Sequence, residues 1–452
     1  MRYLVVGNGV AGTKAAETIR KRDAQGEILV LSAEALPFYR RPALVDYFLE
    51  GWETSGLLGH APAFYERARI DLRLGTAVVG LDPAGHRVTL AGGETLAYDR
   101  LLLAVGVNLP RGWLPGSDLE GVFTLRELAD VEVMRKATAR ARRAVVLGEG
   151  VTGLEMLRAL RARDLEVSYL LEGARFWETV LSPEASQLVE QRLRSEGVEV
   201  LPGREVIAFE GAEGRARAVL LPGGARLKAD AFGIAAGFAP PLAWAVAAGL
   251  AMKKRVVVDD YLATNLPDVY AAGDAVRLEG EARSFGWLRA WHQGTLAGIN
   301  MTGGQVPYRQ RTVALSTRAF GLPILVLGET NPRGVKVRRV TGDYPQGGVH
   351  KEIVLDEAGR VRGALLVGDV SEASGLEDVV RQHMAYDQVD AELKRRLFDL
   401  HYWAPAGAEV LCPVCKFLVH VGEEEVRQGR VTCPICGVEF SLQRVGNRYQ
   451  VV

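Results

Sequence analysis

Arg2-Tyr3-Leu4-Val5-Val6 runs straight into Gly7-Asn8-Gly9-Val10-Ala11-Gly12. The first stretch is short, largely apolar and of strand length, and Thr13–Arg22 behind the glycines is compatible with a helix. In a strand–glycine loop–helix order the three glycines do different work. Gly7 permits the tight turn, Gly9 lets the backbone approach a pyrophosphate, and Gly12 lets helix and strand pack closely. The free N–H groups at the helix start then face the phosphates. A second apolar strand, Ile28–Leu31, ends near Glu34. A carboxylate about 20 residues past the loop accepts hydrogen bonds from a ribose.

The pattern recurs. Ala144–Leu147 is apolar and is followed by Gly148-Glu149-Gly150-Val151-Thr152-Gly153, a helix-compatible run to Arg163, and a strand Val167–Leu171 that ends at Glu172. One such loop is weak evidence, because glycine-rich turns are common. Two, each in full context and each with its acidic residue, predict two dinucleotide-binding units. Asp268-Val269-Tyr270-Ala271-Ala272-Gly273-Asp274 reads as a strand entering a Gly-Asp turn, with Asp274 placed to receive the ribityl hydroxyls of a flavin. Leu101–Gly106 reads as a further buried strand returning the chain from one unit to the other.

Composition narrows the class. The 452 residues are 48% hydrophobic, enough for roughly two to four domains at about 100–200 residues each. Lys+Arg and Asp+Glu both number 55, so no net basic field invites nucleic acid. No apolar run reaches the ~20 residues of a membrane span. The opening strand leaves no room for a signal peptide, so a cytoplasmic protein is expected. All four cysteines fall at 412, 415, 433 and 436, a pattern that suits metal in a reducing compartment.

These elements, in this order, resemble the FAD/NAD(P)-dependent pyridine-nucleotide oxidoreductase superfamily. Within it the chain is most similar to the branch holding rubredoxin and ferredoxin reductases and the flavin part of NADH nitrite reductases. The likeness covers roughly residues 1–390 and rests on the two glycine loops, Leu103-Ala104-Val105-Gly106, Tyr270-Ala271-Ala272-Gly273-Asp274, Tyr39-Arg40-Arg41-Pro42-Ala43-Leu44, and Gln293-Gly294 with Asn300-Met301. The resemblance implies an α/β fold of two Rossmann-like domains, for FAD and NAD(P), followed by an α+β interface domain. The expected boundaries are 1–110 and 239–305 for the FAD domain, 111–238 for the NAD(P) domain and 306–404 for the interface domain.

It also implies cofactor contacts. Gly7, Gly9, Val10, Ala11, Gly12, Glu34, Arg41, Pro42, Ala104, Gly106, Gly273, Asp274 and Trp291 are expected around FAD. Gly148, Gly150, Val151, Thr152, Gly153, Glu172 and Gly237 complete the cofactor-binding set, with the second loop taking NAD(P)H. Glu155 is the candidate catalytic residue beside the nicotinamide; as helix chemistry alone it is a first-turn carboxylate favoured by the dipole. A helix starting near Trp291 is expected to aim its positive end at the reduced flavin. Measured back from Arg41, the branch's ribose glutamate falls on Ala33, one place before Glu34. Glu172 favours NADH, since a carboxylate repels a 2′-phosphate, and Arg175 is the cation that would offset it.

Downstream, Thr312–Leu315, Pro323–Leu327 and Val335–Val340 read as strands, Lys351–Leu355 with Val361–Val367 as a hairpin, and Gly375–Leu400 as a helix. Pro405–Gly407 is the expected linker to a zinc ribbon over 405–452. There Cys412, Cys415, Cys433 and Cys436 complete a tetrahedron without His420. Iron, as in rubredoxin, is the alternative, but rubredoxins have a longer gap with an aromatic, acidic insert.

With no cysteine before Cys412, thiol-based members of the superfamily are disfavoured. The expected function is an enzyme passing electrons from NAD(P)H through FAD to a separate redox protein, with nitrite or nitrate metabolism one setting and a homodimer one assembly. The alternatives are an NADH oxidase using oxygen, and a flavoprotein adaptor docking a partner through its ribbon.

Overall fold

The computed structural model describes residues 1–278, 286–308, 314–332, 336–344, 348–398, 408–415, 418–421, 425, 428–445 and 448–451. The chain forms two compact units: 1–113, 126–128 and 237–310 make one, and 114–125, 129–236 and 311–452 the other. Among the described residues, no helix is long and apolar enough to cross a membrane.

The first unit is built on five parallel strands, in the order Val269–Ala271, Arg100–Leu103, Arg2–Val6, Glu27–Leu31, Ile70–Arg73. Parallel strands are covered on both faces, so they must be apolar throughout. Val5, Val30, Leu101, Leu102 and Leu103 are accordingly fully buried. The register places Val6 level with both Leu31 and Leu103. Gly7, Ala104 and the segment after Leu31 therefore leave the sheet from one edge, the carboxyl edge at which such sheets bind ligands.

The first helix spans Val10–Arg22, starting three residues before the expected Thr13 because Gly9 itself is the N-cap. A second helix, Trp287–Met301, lies directly on it. A Cβ on Gly294 would sit 2.2 Å from the Ala11 carbonyl oxygen, and one on Gly298 2.8 Å from that of Ala15. These small residues, one turn apart on each helix, let the two backbones touch. The expected strand Leu101–Gly106 stops at Leu103, and the chain turns through Gly106 at φ +65°. An antiparallel sheet of Val78–Asp82, Arg87–Leu90 and Thr95–Ala97, unforeseen from the sequence, joins the same core.

The second unit repeats the plan. Its parallel strands run Val198–Leu201, Glu166–Leu170, Arg143–Leu147, Ala231–Ile234, Val122–Phe123. Leu147 is level with Leu170 and Ile234, so Gly148, Leu171 and Ala235 again share one edge. The helix after the loop is Val151–Arg161.

The same unit carries an antiparallel five-stranded sheet in the order Ala314–Ala319, Leu322–Gly328, Val361–Val367, Val349–Leu355, Arg338–Tyr344. Of the expected strand starts, Thr312, Val313 and Val335 lie outside the described residues. The expected helix Gly375–Leu400 is corrected: Ala373–Arg381 and Ala391–Phe398 are separate helices. The break is at His383, in the left-handed region at φ +47°. Its N–H donates to the Val380 carbonyl and that of Met384 to Val379, both at 3.1 Å, which closes the helix end as a Schellman motif does.

The C-terminal residues form a hairpin, Ala408–Leu411 with Leu418–Val421, and a three-stranded sheet, Arg430–Thr432, Glu439–Val445 and Arg448–Val451. The expected linker Pro405–Gly407 and the His420 side chain lie outside the described residues.

Candidate functional site: two glycine loops and a four-cysteine cluster

At the first loop each glycine has its own geometry. Gly7 sits at φ +110°, and a Cβ there would be 2.3 Å from the Ala104 carbonyl oxygen. A Cβ on Gly12 would lie 1.9 Å from the Gly7 carbonyl oxygen. Gly9 differs: its φ of −78° suits any residue, and among the described residues an added Cβ would meet nothing within 4 Å. The space beside Gly9 is thus open. It adjoins a helix start where Val10 and Ala11 offer backbone N–H groups, with no carboxylate in the first turn and no side-chain cap. That is the chemistry of a pyrophosphate site. Two buried amide donors nearby, Asn8 Nδ2 and Gln293 Nε2, have no partner among the described residues. Together these features fit a bound dinucleotide cofactor.

Around this loop, Gly273 (φ +81°) donates its N–H to Gln293 Oε1 at 2.8 Å, and a Cβ on it would be 3.1 Å from Ala11. The turn carrying Asp274 is thereby held against the start of the first helix. Asp274 Oδ2 faces Arg126 Nη2 at 3.3 Å, and Oδ1 accepts from the Gly286 N–H at 3.4 Å. Buried Arg289 donates to the carbonyls of Gly273 and Val276. Glu34 is engaged by protein donors on both oxygens: Tyr39 Oη at 2.5 Å and the Arg41 guanidinium. Arg41 also donates to Tyr39 Oη and, at 2.6 Å, to the Arg126 carbonyl. Burial, reinforced by the Glu34 charge, pushes the Tyr39 hydroxyl pKa far up, so Tyr39 stays a donor. Pro42 lies in the short 3-10 turn Arg41–Ala43.

The helix expected near Trp291 starts at Trp287, with Gly286 (φ +150°) as its N-cap. Its positive end is at Trp287, and Trp291 lies in the second turn. Trp287 stacks on Phe38, ring centroids 5.6 Å apart. The Trp291 ring carries the Lys14 ammonium 3.8 Å from its centroid. Lys14 pairs with Glu17 at 2.7 Å, and Glu17 with His60 at 2.6 Å. Gly237, at φ +75°, faces Trp113: a Cβ would overlap the indole at 2.2 Å.

At the second loop, Gly148 (φ +99°) lies against Ala235, and Gly153 lies under the Tyr169 hydroxyl, 2.6 Å from its notional Cβ. Val151 and Thr152 begin the helix. Glu155 is its fifth residue rather than a first-turn carboxylate and pairs with Arg158 at 2.9 Å. Glu172 is exposed at the strand end. Arg175 Nη2 donates to the carbonyls of Glu178 and Leu181, both at 3.3 Å.

Three residues here escaped the sequence reading. Glu149, inside the loop, accepts from the backbone N–H groups of Gly173 and Trp177; burial raises its pKa, with the charges of Glu178 and Glu172 adding to the rise. Glu178 bonds the Ala174 N–H at 3.2 Å. Trp177 lies over Gly150, its indole 3.5 Å from the notional Cβ. The run Glu172-Gly173-Ala174-Arg175-Phe176-Trp177-Glu178 carries no motif spacing that marks them.

The four cysteines converge. Their Sγ atoms all lie within 4.8 Å of one another, with Cys412–Cys436 and Cys415–Cys433 each at 3.5 Å. Tetrahedral thiolate ligation at about 2.3 Å demands sulfurs about 3.8 Å apart, so the cluster fits one metal ion. Each Cys-x-x-Cys follows a short strand, and the Gly437 N–H closes the second knuckle on the Cys433 carbonyl at 2.9 Å.

Comparison with known proteins agrees with this arrangement. Residues 1–298 match the pyridine nucleotide-disulphide oxidoreductase family model. The chain is 32% identical over 347 residues to the ferredoxin–NAD(+) reductase component of the biphenyl dioxygenase system of Paraburkholderia xenovorans, covering 76% of this chain and 84% of that one. It is 33% identical over 275 residues to rubredoxin-NAD(+) reductase of Pseudomonas putida, covering 61% and 71%. The crystal structure of the ferredoxin reductase for the CYP199A2 system from Rhodopseudomonas palustris superposes with a TM-score of 0.80 at 25% identity, covering 88% of this chain and 99% of that one. With two glycine-loop units on one chain and a family match across both, the protein belongs to the pyridine nucleotide-disulphide oxidoreductase family.

Proposed function

We propose that this protein is an FAD-dependent oxidoreductase that takes hydride from NADH and passes electrons to a separate redox protein of the rubredoxin or ferredoxin kind. The observation that carries the reading is the pair of glycine loops, each at the carboxyl edge of its own parallel sheet. The distribution of cysteines supports it: none precedes Cys412, so the segment that carries both loops holds no redox thiol. When bound, FAD supplies the conversion between a two-electron hydride donor and one-electron acceptors.

The protein's share is binding and placement. The N–H groups after Gly9 hold the FAD pyrophosphate, Asp274 takes the ribityl hydroxyls, and the Glu34–Tyr39–Arg41 cluster shapes the adenosine side. The positive end of the helix starting at Trp287 favours negative charge on the reduced ring. The second loop takes the nicotinamide nucleotide, with Glu172 opposing a 2′-phosphate and Glu155 beside the nicotinamide. We assign 1–110 and 239–305 to the FAD domain, 111–238 to the NAD domain, 306–404 to the interface domain and 405–452 to a structural zinc ribbon, in a protein of the cytoplasm.

The test is anaerobic reduction of the bound flavin by NADH and by NADPH, followed by turnover with rubredoxin, ferredoxin or oxygen. Fast reduction by NADH with transfer to an iron–sulfur protein is expected. Turnover with oxygen faster than with any protein acceptor would replace this reading with an NADH oxidase.

A further inference from the structure

The two loops are built alike but are left in different states. At Gly9 (φ −78°) a notional Cβ meets none of the described residues within 4 Å; at Gly150 (φ +92°) it meets an indole. Three atoms of that ring, Cε2, Cζ2 and Nε1, lie 3.5–3.7 Å from the notional Cβ, which is van der Waals contact. A pyrophosphate bonding the N–H groups after Gly150 needs that volume.

Trp177 holds this position at φ +51°, a left-handed conformation that bulky side chains rarely adopt. Such strain persists only where the surroundings impose it. The surroundings are visible. The N–H groups of Val180 and Leu181 both return to the Trp177 carbonyl, at 2.8 and 2.9 Å. The Glu178 carbonyl accepts from Asn331 Nδ2 at 2.5 Å, and the Val180 carbonyl from Thr330 Oγ1 at 2.6 Å. Thr330 is almost wholly buried, and Asn331 is fixed in turn by Arg339 Nη2 at 3.0 Å, whose guanidinium pairs with fully buried Glu352. The turn that carries the indole is therefore fastened by residues that follow the strand Leu322–Gly328 of the antiparallel sheet.

We propose that Trp177 is a gate over the second glycine loop and that Thr330 and Asn331 are its latch, so that the antiparallel sheet sets how readily a nicotinamide nucleotide enters. This rests on the second loop being the nucleotide site. The occupied gate acts as a conformational tax: apparent affinity is the intrinsic affinity multiplied by the open fraction. The latch residues touch no nucleotide and act as positioning residues through Trp177.

The test uses the full-length, FAD-loaded protein. NAD+ is titrated by calorimetry, which reads binding without turnover, and NADH association is followed anaerobically by stopped flow. Trp177→Ala should lower the NAD+ Kd by about tenfold and raise the association rate, as expected if the closed form predominates by about ten to one. Thr330→Val removes one latch hydrogen bond and should lower the Kd by about fourfold, whereas Thr330→Ser should bind as the wild type does. Thr330→Val also covers the case in which Trp177→Ala folds poorly. An unchanged or higher Kd in both Trp177→Ala and Thr330→Val overturns the gate, a higher one making the indole a binding platform instead. Failure of the wild type and of every variant to bind NAD+ would instead overturn the assignment of the second loop.

Discussion

Replacing the three glycines of the first loop one at a time separates folding from cofactor binding. Gly9→Val places a Cβ where no described residue lies within 4 Å, on a backbone at φ −78° and ψ −174° that any residue adopts. The apoprotein should therefore be no less stable than wild type, and a gain of about 0.4–1 kcal/mol is expected from the stiffer unfolded chain. The new side chain occupies the pyrophosphate approach. Losing two hydrogen bonds to a charged phosphate, at about 1.5–3 kcal/mol each, removes about 3–6 kcal/mol, a factor of roughly a hundred or more in Kd. Gly12→Ala is the contrast: its Cβ would lie 1.9 Å from the Gly7 carbonyl oxygen, and the overlap should cost at least about 1–3 kcal/mol of folding stability. The assay is urea unfolding of the stripped proteins beside FAD titration followed by flavin fluorescence. A Gly9→Val protein that folds and purifies with a full complement of FAD would refute the assignment of the loop.

Three further outcomes are expected. NADH should reduce the flavin faster than NADPH in the wild type, and Glu172→Ala, which removes the exposed carboxylate at the strand end, should narrow the gap; a wild-type preference for NADPH in stopped-flow reduction would overturn this. Lys351, buried between Asp369 (2.6 Å) and Glu372 (2.7 Å), should cost about 3–5 kcal/mol in urea unfolding when changed to Met, nearer the lower figure because Asp369 is partly exposed. Burial works against both charges of the Lys351–Asp369 pair, but attraction wins, raising the lysine pKa and lowering that of Asp369. Its stabilisation is therefore full at neutral pH, lost as pH rises through the raised lysine pKa, and lost again as pH falls through the lowered aspartate pKa; equal stability of wild type and Lys351→Met at pH 7 would refute it. Cys433→Ser should release one zinc per chain and unfold the ribbon while flavin reduction persists, whereas stoichiometric iron in the wild type, with visible absorbance left after FAD removal, would replace zinc with iron.

What the sequence disclosed follows from what glycine and cysteine are for. Gly12 is forced by the Gly7 carbonyl five positions back, Gly7 by its own φ of +110°, and Cys412 to Cys436 by the reach of two knuckles, so their spacing was readable. Contacts that join distant segments left no such trace. The Arg126 carbonyl meets Arg41 across 85 positions, and Asn331 meets Glu178 across 153. Trp287, rather than Trp291, begins its helix, with Gly286 at φ +150° as the N-cap. The helix expected through Leu400 is broken at His383, a residue type with no αL preference as strong as glycine's, so nothing in the local pattern announced the stop.

The difference between the two loops suits their proposed ligands. At the first, a site flanked by Asn8 Nδ2 and Gln293 Nε2, donors with no partner among the described residues, is incomplete without an occupant. Buried donors left unpaired cost free energy that a bound molecule recovers, and binding to the native state alone adds stability by mass action. A cofactor there should be retained through purification. At the second, the protein fills its own site: the indole covers Gly150, and Glu149 already accepts the N–H groups of Gly173 and Trp177. A nucleotide must displace that indole to bind, so it gains less by staying, which favours release after each reduction. An electron carrier needs this asymmetry, since its flavin must remain while its nicotinamide exchanges. The same comparison yields a check independent of any acceptor: dialysis should remove NAD+ completely and leave the yellow colour, and a protein that loses both together would contradict the argument.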